Sequence, residues 1–281
     1  MTTIHPDAEA FILRFEGGNE RLEWPGEASG VTAACGYDFG YRDEEEILAD
    51  WQGRVPIAVM PLLVNAAGVR GLAARDMARS PAYAAVRIPY EVSLAVFHER
   101  TMPKFIDQTL HAFPGCELMP ELSFGALVSL VYNRGPSCNP LKPSRKGMAD
   151  IRRFAPDREN WPSIIYAVAE MYKLRIDVPT DSNLPGRRLE EAAMFARGLR
   201  EAGIIDSRTV IRGDTGAPVK LLQEALVARM AQLSIDGAFG LKTRQALWRY
   251  QLAKACAPAT GIADMETLYD LGIHPRPVPR A

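Results

Sequence analysis

Ser29-Gly30-Val31-Thr32-Ala33-Ala34-Cys35-Gly36-Tyr37-Asp38-Phe39-Gly40 is the stretch on which the reading of this sequence turns. Thr32 and Asp38 have the same parity, so a straight strand would put both on one face, yet at about 3.3 Å per residue it would hold them roughly 20 Å apart. Gly36, preceded by the small Ala33 and Ala34, permits a tight bend that returns Asp38 towards Thr32. A hairpin with both side chains in one cleft is the expectation. The plainer alternative has Asp38 capping a turn and Thr32 serving strand propensity.

Upstream, Ala8, Phe11, Ile12 and Phe15 recur at helical spacing behind Pro6-Asp7, and Gly17-Gly18 stops the helix. Glu20 to Gly40 is rich in Gly, Pro and short polar residues, which makes a loop-and-hairpin lobe with a strand-like run at Val31 to Cys35. From about Asp43 to Leu199 helical patterns dominate, punctuated by Pro56, Pro81, Pro89, Pro103, Pro120 and Pro136. Asp43-Glu44-Glu45-Glu46 opens a helix at its positive dipole end. Phe124 to Asn133 buries Leu127, Leu130 and Val131. After Gly203 the texture changes to Val210-Ile211-Arg212-Gly213-Asp214-Thr215-Gly216, then to a run with Val219, Leu222, Leu226 and Met230 on one face. Ile235-Asp236-Gly237-Ala238-Phe239-Gly240-Leu241-Lys242-Thr243 makes a turn in which Thr243 is the expected N-cap of the next helix. A looser second pass follows at Gly261 to Thr267, ahead of Leu268 and Leu271. The tail His274 to Ala281 is Pro-rich and read as extended. The fold class is α+β and mainly helical, with domains at 1–205 and 207–275.

With 281 residues, 47% hydrophobic and 24% charged, the chain can bury a core. Its net charge of -1 supplies no basic excess for replacing nucleic-acid counterions, so nucleic acid is excluded as the main partner. No run of about 18 apolar residues and no cationic leader are present, which predicts cytoplasmic synthesis without a signal peptide and no stable membrane association. Cys35, Cys116, Cys138 and Cys256 lack C-x-x-C spacing, and His5, His98, His111 and His274 are dispersed, so no metal or cofactor is expected. Cys35 reads as small-residue packing.

Glu16 directly follows Phe15 in the last turn of the first helix, where the negative dipole end and apolar surface disfavour its ionised form and should raise its pKa. A solvated helix-end glutamate is the alternative reading, and Glu20, Glu23 and Glu27 are competing acids. Phe15-Glu16-Gly17, Ser29-Gly30-Val31-Thr32, Gly36-Tyr37-Asp38-Phe39-Gly40 and the distant Phe124 to Gly135 resemble phage-T4-type lysozymes, most closely the pesticin-like branch. The resemblance implies a lysozyme-like catalytic domain with a small β-hairpin lobe, Glu16 as general acid, Asp38 as its carboxylate partner and Thr32 as the residue that positions water. An Asp nine residues after the catalytic Glu is the commonest lysozyme spacing, and here that position is Pro25. Gly186 to Phe195 resembles the terminal helix of these enzymes, where Arg187, Arg188 and Glu191 read as structural ion pairs, and Asn133 has a capping or other structural role.

Arg212-Gly213-Asp214-Thr215-Gly216, Leu222-Gln223, Asp236-Gly237-Ala238-Phe239-Gly240, Thr243 and Tyr250-Gln251 resemble the peptidoglycan-binding domain 1 family over about a quarter of the chain. That implies a three-helix, non-catalytic module that holds bacterial peptidoglycan. Taken singly, Gln223 and Gln251 are solvent-facing polar residues. The combined expectation is a monomeric muramidase, endolysin-like or an interbacterial toxin, acting in the periplasm or cell wall on the β-1,4 bond between N-acetylmuramic acid and N-acetylglucosamine. Inversion is the implied stereochemistry. The alternatives are a non-catalytic wall adaptor, or an amidase or endopeptidase that cuts the peptide stems.

Overall fold

A computed structural model describes residues 4–16, 18–171, 184–254 and 259–274. The helix stop at Gly17, Cys256 and the Pro-rich tail from Pro275 lie outside the described residues. The chain divides into two compact units, Met1–Asp107 and Gln108–Ala281.

In the first unit, α1 (Pro6–Glu16) buries Ala8 and Ile12 completely. Phe11 and Phe15 are only half-buried, with rings 5.1 Å apart and the Arg14 guanidinium 5.0 and 4.8 Å from their centroids. The strand-like run is shorter than the sequence suggests: β1 (Thr32–Ala33) pairs antiparallel with β2 (Tyr37–Asp38). Ala34 to Gly36 form a tight turn between them, in which Cys35 and Gly36 adopt left-handed φ of 57° and 70°. Helix α2 (Glu44–Trp51) starts at a capping box in which Asp43 and Glu46 each bond the other's backbone N–H, at 2.8 and 3.4 Å. Short helices follow: α3 (Met60–Asn65), α4 (Gly71–Arg79), α5 (Pro81–Ala84), α6 (Tyr90–Val96) and α7 (Met102–Ala112), the last containing the division between the units. Tyr37, Phe39 and Trp51 pack ring on ring at the centre of this unit's core, which ties the hairpin to α2.

In the second unit, α8 (Glu121–Arg134) is buried on every face from Leu122 to Val131, more than the three expected apolar positions imply. Gly135, at φ 73°, ends it. α11 (Leu184–Glu201) packs along α8 and against α10 (Trp161–Glu170), which in turn packs on α9 (Lys146–Phe154). Arg187 and Arg188 on α11 reach Glu191 at 3.2 and 2.6 Å, all three buried, while Ser129 of α8 donates to Glu191 at 2.7 Å. Asn133 accepts from Arg188 at 2.7 Å, so its structural role is to join α8 to α11.

The C-terminal module contains α12 (Ala217–Val227), α13 (Leu241–Ala253) and α14 (Met265–Asp270) around Val219, Leu222, Leu226, Phe239, Leu247 and Leu268. Met230 does not extend the α12 face: it lies past the helix end, at φ 69° and 93% exposed. Thr243 is not an N-cap. Gly240 holds that position, and Thr243 is the buried third residue of α13. No described helix is long and apolar enough to cross a membrane.

Candidate functional site

Thr32 stands directly opposite Asp38 in the β1–β2 pair, so their side chains share a face. On its other edge Thr32 exchanges two backbone hydrogen bonds with Glu23, at 2.9 and 2.7 Å. Glu23, Thr32 and Asp38 are therefore neighbours across three short extended segments, an arrangement that sequence reasoning, which counted Glu23 only as a competing acid, missed. The Glu23 side chain accepts from Asn19. Glu16 is the last residue of α1, which packs against the Ala34–Gly36 turn. Burial raises the pKa of the Cys35 thiol in that turn, Tyr90 opposes the rise through a hydrogen bond, and the Glu16 charge adds to it. Glu16 thus stands beside the bend that joins Thr32 to Asp38. The buried Cys35 stays a thiol, unsuited to nucleophilic work.

Asp38 is held by backbone. One carboxylate oxygen accepts from Gly30 N–H at 3.0 Å and Gly40 N–H at 2.8 Å, and the other accepts from Gly30 N–H at 3.0 Å. The glycines are obligatory: a Cβ on Gly30 would lie 2.4 Å from the Gly40 nitrogen, and one on Gly40 would lie 2.5 Å from the Val69 carbonyl oxygen. Burial pushes the Asp38 pKa up, against the pull of the two N–H donors and the charges of Arg42 and Arg70. The Thr32 hydroxyl donates to the Gly30 carbonyl at 3.3 Å and keeps lone pairs for a further donor. Chemically, this is an oriented carboxylate and a hydroxyl on one face, with Glu16 at the neighbouring helix end. Among the described residues, no group of three or more His, Cys, Asp or Glu is placed to hold a metal ion.

Gln223 and Gln251 are not solvent-facing: they are 0% and 2% exposed. The Gln223 amide donates to Asp236, the Ala238 carbonyl and the Thr243 hydroxyl, at 2.8, 3.2 and 3.1 Å, and its oxygen accepts from Gly237 N–H at 2.8 Å. Gln251 repeats the device one helix later. Its amide donates to the Ile262 carbonyl and the Thr267 hydroxyl, at 2.9 and 3.1 Å, and its oxygen accepts from Gly261 N–H at 2.8 Å. Thr267 is the third residue of α14, as Thr243 is of α13. The recurrence of Gly-x₅-Thr at 237–243 and 261–267 is the signal in the sequence that marks both turns. Residues 210–216 bridge the turns, through mutual hydrogen bonds of Val210 with Ala263 and a bond from Phe239 N–H to the Asp214 carbonyl.

Comparison with curated proteins returned no match for the chain. Residues 215–271 match the family described as "Putative peptidoglycan binding domain". The matched range holds both glutamine-locked turns, and by this match the chain carries a peptidoglycan-binding domain that associates it with the bacterial wall polymer.

Proposed function

We propose that the chain is a peptidoglycan hydrolase, a muramidase that cuts the β-1,4 bond between N-acetylmuramic acid and N-acetylglucosamine while its C-terminal module holds the wall. The observation that carries this reading is the register of Thr32 opposite Asp38 at a bend against which α1, ending in Glu16, packs. Glu16 gives its proton to the glycosidic oxygen as the bond to the sugar carbon breaks. The Thr32 hydroxyl holds the water whose oxygen joins that carbon. Asp38, fixed by Gly30 and Gly40, faces the positive charge that develops there and takes the proton the water releases. Burial makes that carboxylate a stronger electrostatic partner than an exposed one, since solvent screens it less.

One observation favours the non-catalytic adaptor as a second reading: both Asp38 oxygens take backbone N–H donors, as in a purely structural turn lock. Fragment analysis of isolated peptidoglycan separates the readings. The wild type is expected to release new reducing ends with intact peptide stems. Folded Glu16→Gln should lose about 10²- to 10⁴-fold of that rate. Unchanged cutting by Glu16→Gln removes the assigned acid, binding without new reducing ends supports the adaptor, and severed stems point to an amidase or endopeptidase.

A further inference from the structure

A cavity of about 540 Å³ opens in the second unit between the C-terminal end of α11 and the module's α12 and α14, within the size range of small-ligand sites. Its apolar side is made by Val210 and Leu268 from the module core, with Leu221 of α12 and Ile273 beside them. Leu221 is 50% exposed, so the apolar surface reaches the mouth. The polar side is fixed in place. Asp214 takes the two terminal nitrogens of Arg200 at 2.5 and 2.9 Å and the Ile211 N–H at 2.8 Å, and Arg200 also donates to the Thr209 carbonyl at 2.7 Å. Arg208 lines the cavity as well. Asp206 grips it through Nε and Nη2, at 3.0 and 2.7 Å, and leaves its side chain 52% exposed.

The lining selects among the parts of the wall polymer. Among the described residues that line it there is no Phe, Tyr or Trp, so they offer no phenyl or indole face on which a sugar ring's C–H groups rest. It does offer a half-exposed guanidinium, which meets Asp206 and the Tyr269 hydroxyl and keeps N–H donors beyond the two that Asp206 takes, facing the same space as aliphatic walls suited to methyl groups. We propose that this cavity takes the peptide stem of peptidoglycan, a short chain of D- and L-residues bearing free carboxylates, with a carboxylate on Arg208 and an alanine methyl against Leu221. The proposal deepens the wall-association reading and rests on it. Arg200 and Arg208 precede the matched residues 215–271, so the site is a composite of the module and the helix before it.

The test uses the full chain, purified peptidoglycan sacculi, a soluble tetrapeptide stem (L-Ala-γ-D-Glu-diaminopimelate-D-Ala) and an N-acetylglucosamine tetramer. The tetrapeptide is expected to bind saturably and to release the protein from sacculi, whereas the sugar tetramer does not. Arg208→Gln and Leu221→Asp, both at exposed side chains, should each weaken tetrapeptide binding at least about tenfold while the far-ultraviolet circular dichroism of the full chain stays that of the wild type. Amide chemical shifts of the wild type give a readout that needs no variant: tetrapeptide-induced shifts should centre on residues 207–221 and 268–274. Shifts centred elsewhere, or sacculus binding that survives both substitutions and excess tetrapeptide, overturn the cavity assignment while wall association stands. Failure of the wild type to sediment with sacculi overturns both.

Discussion

At Gly30 and Gly40 two backbones touch, and Asp38 ties the N–H groups of both together. Adding one methyl at Gly30 therefore drives a carbon into main chain that cannot rotate away. Gly30→Ala is expected to cost about 3 kcal/mol or more of unfolding free energy in urea titration. The Asp38 carboxyl has a pKa raised in the folded state by burial, so the native protein holds its proton to higher pH than the unfolded chain does. Its contribution to stability is fully present below the ordinary carboxylate pKa and falls as pH rises through the raised value. Asp38→Asn should flatten that decline, which sets in above the ordinary carboxylate pKa. It should also lower reducing-end release more than Glu23→Gln, since the Glu23 side chain is exposed and screened. The bend between Thr32 and Asp38 was legible from parity, glycine and the reach of a strand. Contact between Gly30 and Gly40 was not, because no local pattern reports how closely two segments ten residues apart approach. Glu23 escaped for a similar reason: its pairing with Thr32 is set by the path of the loop between them.

At the level of the helix and turn, the C-terminal module uses one polar lock twice, and each lock leaves a buried glycine N–H satisfied by a glutamine from the preceding helix. Gln223→Ala strands the Gly237 N–H and removes the donor to the Ala238 carbonyl and Thr243. A loss of about 2–4 kcal/mol is expected, read as a lowered thermal midpoint of the full chain. Gln251→Ala should behave alike through Gly261, Ile262 and Thr267, with both effects larger than for any exposed polar residue of the same helices. The alternation of helix, Gly turn and helix was readable in the sequence. The burial of the glutamines was not, because Gln is mostly an exposed residue type, and only the repeated Gly-to-Thr spacing hints at a shared partner. Thr243 was likewise misplaced by local rules, which favour Thr at an N-cap, where here its hydroxyl, like that of Thr267, sits three residues past the N-cap and meets the glutamine.

Across the second unit, α11 carries charge to two sets of neighbours. Near its start, Arg187, Arg188 and Glu191 meet Ser129 and Asn133 of α8. Further along, Glu190 pairs with Arg212 and lies 3.8 Å from Arg244, Arg197 donates to the Arg212 carbonyl at 2.6 Å, and Arg200 clasps Asp214. Tyr166 of α10 adds a hydrogen bond to Asp264 at 2.9 Å. The sequence suggested two domains meeting near residue 206, and composition alone carries no information on whether such a junction is a tether or a seam. Glu190→Ala leaves Arg212 and Arg244, which already repel each other, without the carboxylate between them. It is expected to destabilise by about 1–3 kcal/mol and to speed proteolytic cleavage between residues 202 and 209. Asp214, although burial opposes its ionisation, is held below the usual carboxylate range by the hydrogen bonds of Arg200 and Ile211. The stability it lends is present above the ordinary carboxylate pKa and is lost as pH falls through the lowered value, so Asp214→Asn should blunt acid unfolding.

The continuity of α11 across both sets of contacts has a mechanical consequence. Any pull on residues 215–271 passes into α11 through side chains as well as through the connecting chain, because Glu190, Arg197 and Arg200 all hold residues 212–214.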